Sequence, residues 1–134
     1  MRQAQTLNEA QLRRVIQYCR SRRHPTRDET IILTSFYAGL RAKEIAALKI
    51  GNVFDEGGNV REQFILSAAQ SKGGHTRTVY LNQRLRKALG DYGAIKYLSD
   101  PQRPLFESQK GGHFSANTMC QLFLDIYKAV GLKD

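Results

Sequence analysis

The residue that most limits how this chain can fold is Gly39, set inside the stretch Thr34–Leu48, TSFYAGLRAKEIAAL. Around it Leu33, Phe36, Tyr37 and Leu40 recur at helical spacing and form one apolar stripe. Beyond it, Ala42 to Leu48 resumes a helical period with Ile45 and Leu48 inward. A glycine at that point can take the left-handed conformation that ends one helix and lets the next leave at an angle. Arg41 then falls in the bend, beside the positive end of the second helix. That is a poor place for a cation unless an anion approaches it. Glu44, three residues on, shares a face with Arg41 and can orient it. Taken alone, the arrangement reads as a solvated arginine in a helix–turn–helix corner. The rest of the chain changes that reading.

Thr6-Leu7-Asn8-Glu9 has the form of a capping box and predicts a helix from Leu7, with Leu12, Val15, Ile16 and Cys19 on its inner face. That helix ends in a basic cluster, Arg20, Arg22, Arg23 and Arg27, around His24-Pro25. Cations are favoured at a helix C-terminus, and the same cluster suits contact with backbone phosphates; both readings stand open. Thr26-Arg27-Asp28-Glu29 predicts a second capping box, opening the helix that leads to Gly39. After Leu48 the period changes. Lys49 to Phe54, Gln63 to Ser67 and Arg77 to Leu81 are strand candidates, with a turn at Asp55–Asn59. A further helix is expected over Gln83–Leu98, with Leu85, Ala88, Leu89, Tyr92 and Ile95 inward. Ser115 should cap a last helix bearing Met119, Leu122, Phe123, Ile126 and Val130, stopped at Gly131-Leu132. The fold class that follows is α+β, mainly α, with a small three-stranded antiparallel sheet.

The 134 residues suffice for one domain with its own core. Lys and Arg number 21 against 12 Asp and Glu, a formal net charge of +9. That surplus favours a polyanion as partner, with affinity that falls steeply as salt rises, although a merely soluble basic protein has the same charge. No segment joins a basic face to a broad apolar one, no apolar run is long enough to span a bilayer, and no signal-peptide core follows Met1. Cys19 and Cys120 lie singly within apolar helical stripes, which reads as buried thiols of a reducing cytosol and predicts a cytoplasmic protein.

AGLRAKEIAAL resembles the first arginine box of the tyrosine recombinases, the phage-integrase family. In that family a Gly-Leu-Arg turn, with an acidic residue three positions after the arginine, precedes a small sheet in which one hairpin presents a lysine. Ser71-Lys72-Gly73-Gly74-His75-Thr76-Arg77, between two strand-like runs, matches that hairpin. The resemblance implies double-stranded DNA as partner and DNA integration or recombination as function. It also implies strand breakage by a tyrosine hydroxyl without metal or cofactor, and self-association on DNA. It casts Arg41 and Lys72 as catalytic residues and Glu44 as the residue that fixes Arg41. Arg22, Arg23, Lys43, His75 and Arg77 become candidates for DNA contact.

The departures are as informative. The family continues after its lysine with His-x-x-Arg, then a His or Trp, then the nucleophilic tyrosine. None of these follows Lys72: three residues after His113 stands Ala116, and Tyr127 lies in the helix that the family places before that box. His24-Pro25-Thr26-Arg27 has the spacing but precedes Arg41, so it is a decoy. Residues 1–134 are therefore expected to be the N-terminal part of a catalytic domain, inactive in cleavage by themselves. Some apolar surface at Phe36, Leu40, Leu122 or Ile126 should then be left uncovered and drive association. The rival is a non-enzymatic helix-turn-helix module whose helix from Ala42 enters the major groove, although Lys43 and Lys49 are its only outward-reaching groups. A metal nuclease is more distant, because no Asp, Glu and His cluster has ligand spacing.

Overall fold

The chain runs α1 (Glu9–Cys19), α2 (Pro25–Ala38), α3 (Ala42–Ala46), α4 (Ile50–Val53), β1 (Gln63–Leu66), β2 (Arg77–Tyr80), α5 (Gln83–Gly93) and α6 (Ala116–Ala129). The computed structural model describes residues 7–96 and 98–132. α2 is the central element, packed against α1, α3 and α5, while α6 closes over α1 and α3. Leu12, Val15, Ile31, Ile32, Leu40, Ile45, Leu85, Leu89, Leu105, Phe106, Met119 and Ile126 fill the core. Each such side chain contributes about 1.5–3 kcal/mol by leaving water.

Helix starts differ from the predicted ones for identifiable reasons. α1 begins at Glu9, two residues later than Leu7: the Asn8 side chain accepts from Gln11 N at 2.8 Å, and Gln11 Oε1 accepts from Asn8 N at 3.0 Å. The capping box is thus Asn8/Gln11, and Thr6 lies outside the described residues. Leu7 and Leu12, at the positions of a hydrophobic staple, are both buried. At α2 the expected Thr26 box does not form, because Pro25 takes the first helical position and His24 becomes the N-cap. Thr26 O instead accepts from Thr30 Oγ1 at 2.7 Å.

The sheet has two strands and not three, in register Gln63↔Tyr80 through Leu66↔Arg77. Phe64, Leu66 and Val79 face the core as their alternation requires, and Leu81 continues it just past β2. The expected third strand is helical at Ile50–Val53: Asn52 Oδ1 accepts from Lys49 N at 2.8 Å and caps that turn. Extended pairing survives at its two ends alone, as single bridges from Lys49 to Pro104 and from Phe54 to Val60 around the Asp55–Asn59 turn.

α5 stops at Gly93, so Ile95 lies outside it and is 69% exposed, not inward. The glycine is required by close approach: a Cβ there would lie 2.7 Å from the Phe54 ring. Phe54 is itself buried in the core. Gly93→Ala should therefore cost about 1–3 kcal/mol in urea unfolding, as overpacking does. A loss within experimental scatter would mean that the ring has room to move. Tyr92, one residue earlier, donates its hydroxyl to Leu105 O at 2.8 Å and pins the 100s connection to α5.

α6 begins and ends as the sequence predicts. Ser115 Oγ accepts from Thr118 N, and the Gly131 and Leu132 amides return to Lys128 O and Tyr127 O around Gly131 at φ 80°. The apolar surface expected to be open is largely covered. Leu40, Leu122 and Ile126 are buried and Phe36 is half-buried, because α3 and α6 pack on each other. Among the described residues, the large apolar ones that do reach solvent are Ile65, Tyr80, Ile95 and Leu124.

Candidate nucleic-acid interface

Gly39 ends α2 at φ 69°, its amide returning to Ser35 O at 3.0 Å. The chain then turns through Leu40, which is buried, and Arg41 becomes the extended N-cap of α3 at φ −84°, ψ 162°. Glu44 turns back under this corner and is 2% exposed. Its Oε1 accepts from the Arg41 backbone amide at 3.0 Å and from Arg77 Nη2 at 2.8 Å. Its Oε2 accepts from the Lys72 backbone amide at 3.0 Å and lies 3.5 Å from Ser71 Oγ. Glu44 thus orients Arg41 through the main chain and leaves the guanidinium to point elsewhere. One carboxylate ties the first bend, the lysine loop and strand β2 together. Such charge-assisted bonds to backbone amides are among the stronger ones in proteins.

The lysine loop is held at its base and open at its tip. Ser71 N and Gln70 N both return to Ser67 O, at 2.9 and 3.1 Å, and Ser71 Oγ accepts from Gly73 N at 3.3 Å. Gly74 then closes the turn at φ 76°, a conformation that disfavours side chains. Lys72 is half-buried, whereas Gly73, Gly74 and His75 are exposed. Among the described residues, no carboxylate pairs with the Arg41 guanidinium or the Lys72 ammonium, in contrast to Arg77. Among the described residues the corner therefore presents two cations without a carboxylate partner, on main chain that is fixed.

The remaining candidates divide. Lys43 rides on α3 beside Arg41 and is half-buried; His75 sits at the loop tip; Arg77 is half-exposed but committed to Glu44. Arg22 and Arg23 stand at the other end of α2, whose 14 residues span about 21 Å. There the buried Asp28 accepts from Arg22 Nε and from Arg27 Nε, each at 2.8 Å, and Arg20 pairs with Glu29. Three of the four arginines of that cluster thus have carboxylate partners, and Arg23 remains the exposed member without one among the described residues.

α3 is too short and too covered to serve as a recognition helix. Of its five residues, Ala42, Glu44, Ile45 and Ala46 are buried. Tyr127 is buried in α6, and that burial pushes its phenol up to about 12. Burial, with Asp28 adding to it, likewise holds the Cys19 thiol up at about 12, as expected of an inert core cysteine. Among the described residues no three His, Cys, Asp or Glu side chains gather as a metal site would require. Among the described residues no helix is long and apolar enough to cross a membrane.

Sequence reasoning missed Gln70 and Ser71 as anchors and Arg77 as a partner of Glu44. The pattern offered no signal for Gln70, whose side-chain partners Ala47 and Asn52 are 23 and 18 residues away.

The model of the phage integrase family matches residues 5–134. A crystal structure of XerA recombinase aligns with 99% of the chain at a TM-score of 0.69 and 25% sequence identity. The chain spans 46% of that structure's length. No curated protein matches the sequence.

Proposed function

The chain belongs to the phage integrase family, and from that premise we propose that it forms the part of a tyrosine recombinase catalytic domain that grips the scissile phosphate of duplex DNA between Arg41 and Lys72. The observation that carries this reading is Glu44, one buried carboxylate that accepts from the backbone amides of both residues. Glu44, three residues after Arg41 and 28 before Lys72, thereby holds the bend and the loop in one constellation.

The chemistry makes definite demands. A tyrosine oxygen attacks phosphorus, the bond to the 5′-oxygen breaks, and a phosphotyrosyl link and a 5′-hydroxyl result. Charge accumulates on the non-bridging oxygens on the way, and fixed cations stabilise it. The planar fork of Arg41 can hold two of those oxygens and keeps its proton throughout. The departing 5′-oxygen takes a proton, and Lys72, whose main-chain amide is held by Glu44, is its donor. The tyrosine is not assigned to Tyr127, which is buried with a high phenol pKa. Lys43 and His75 flank the two cations and suit contact with neighbouring phosphates. Arg23 suits a more distant one.

The test is chemical rescue in a recombinase that contains these residues together with the His-x-x-Arg box and the tyrosine. Lys72→Ala should slow cleavage of ordinary DNA by roughly 10²–10⁴-fold, the range of a lost general acid. A substrate with sulfur in place of the 5′-bridging oxygen has a leaving group that needs no proton, and it should be cleaved at close to the parent rate. Persistent inactivity on the sulfur substrate would remove Lys72 from the role of proton donor.

A further inference from the structure

We infer that Gln70 is a positioning residue for Lys72, acting through a set of hydrogen bonds that only a side-chain amide can make. This rests on the reading of Arg41 and Lys72 given above. Gln70 is 9% exposed, unusual for so polar a residue in a loop. Its amide nitrogen donates to Ala47 O at 2.9 Å and to Asn52 Oδ1 at 2.8 Å. Its Oε1 accepts from Ser67 N at 3.0 Å. Both donors and the acceptor are therefore used, as a buried amide requires.

The partners show what the clamp achieves. Ala47 is the C-cap of α3, the helix that Arg41 opens. Asn52 Oδ1 also accepts from Lys49 N, so it is fixed independently of Gln70. The loop before Lys72 is thus fastened to the C-terminal end of α3 through Gln70. Lys72 itself is fastened beneath the N-terminal end of α3 through Glu44. Two anchors on one five-residue helix fix the Lys72 main chain against Arg41 in both position and direction. The turn bonds to Ser67 O shape the base of the loop, but Glu44 and Gln70 are the side chains that fasten it to α3.

The chemistry of the amide dictates the variant. Gln70→Glu keeps the shape but brings a carboxylate oxygen against two acceptors, Ala47 O and Asn52 Oδ1. In the complete recombinase, Gln70→Glu should slow cleavage of ordinary DNA roughly 10- to 100-fold, the scale of a misplacement of about 1 Å. Introduced into the Lys72→Ala enzyme, the same change should cost nothing further, within about 2-fold. Cleavage of the 5′-sulfur substrate should be equally insensitive to it. In the 134-residue chain the Lys72 amide should exchange its hydrogen faster in Gln70→Glu than in the parent. Asn52→Ala, which removes one acceptor, carries the same tests if Gln70→Glu does not fold.

An equal loss from Gln70→Glu with and without Lys72 would overturn the inference, as would unchanged exchange at the Lys72 amide. Should Lys72→Ala resist sulfur rescue while the effect of Gln70→Glu still vanishes in its background, the positioning role stands and the proton-donor role falls.

Discussion

Arg41→Lys, placed in a recombinase that carries this chain with the remaining boxes, is expected to lose most strand cleavage and keep nearly all DNA affinity. The charge is conserved, so the electrostatic attraction to the duplex hardly changes. What disappears is the fork: an ammonium cannot hold two phosphate oxygens in one plane. The geometry around Arg41 makes this a clean experiment. Its main chain is fixed by Glu44 and by the α3 N-terminus, contacts that use the backbone amide and are indifferent to the side chain. Its guanidinium has no carboxylate partner among the described residues, so no fold-stabilising ion pair is broken. The cleavage rate should fall roughly 10²–10³-fold, the loss typical of one preorganised donor to a developing oxyanion. Equal losses in binding and cleavage would instead mean that Arg41 only holds DNA.

Where local chemistry decides the backbone, the sequence alone was enough. Gly39 adopts the left-handed turn, Ser115 caps α6, Gly131 ends it, and Phe64, Leu66 and Val79 alternate into the core. Where distant residues decide, it was not. Ile50 and Val53 are β-branched and suggest a strand. Yet Gly51 sits against Pro101, with Pro101 O accepting from its amide at 2.9 Å, and the segment winds into a helical turn. Tertiary contacts override a propensity of well under 1 kcal/mol per residue, as is usual for short segments. The basic cluster before α2 was ambiguous for the same reason, since nothing local says that Asp28 will be buried between Arg22 and Arg27. At the site, Arg41, Glu44 and Lys72 were legible from two short motifs. Their connection through Glu44 Oε1 and Oε2 was not, because it crosses 28 residues of chain.

That connection sets the largest stability effect expected in this protein. Glu44→Ala removes one carboxylate and strands several donors at once: the Arg41 and Lys72 amides, Ser71 Oγ and Arg77 Nη2. Arg77 is 46% exposed and regains water, whereas Arg41 and Lys72 are half-buried and their amides lose a charged acceptor. The cost should be about 3 kcal/mol, the low end for breaking a buried charged pair. For a domain of this size that lowers the melting temperature on the order of 10 °C. Glu44→Gln separates the parts of this cost. A single amide oxygen can still accept from one side of the corner, while its NH₂ opposes the donors on the other. It should therefore recover part of the stability and little of the alignment between Arg41 and Lys72. Thermal unfolding of the three proteins, read with amide exchange at Arg41 and Lys72, distinguishes these outcomes. A loss below about 1 kcal/mol for Glu44→Ala, the size of an ordinary exposed ion pair, would show that the bend and the lysine loop are held together by packing and not by this carboxylate.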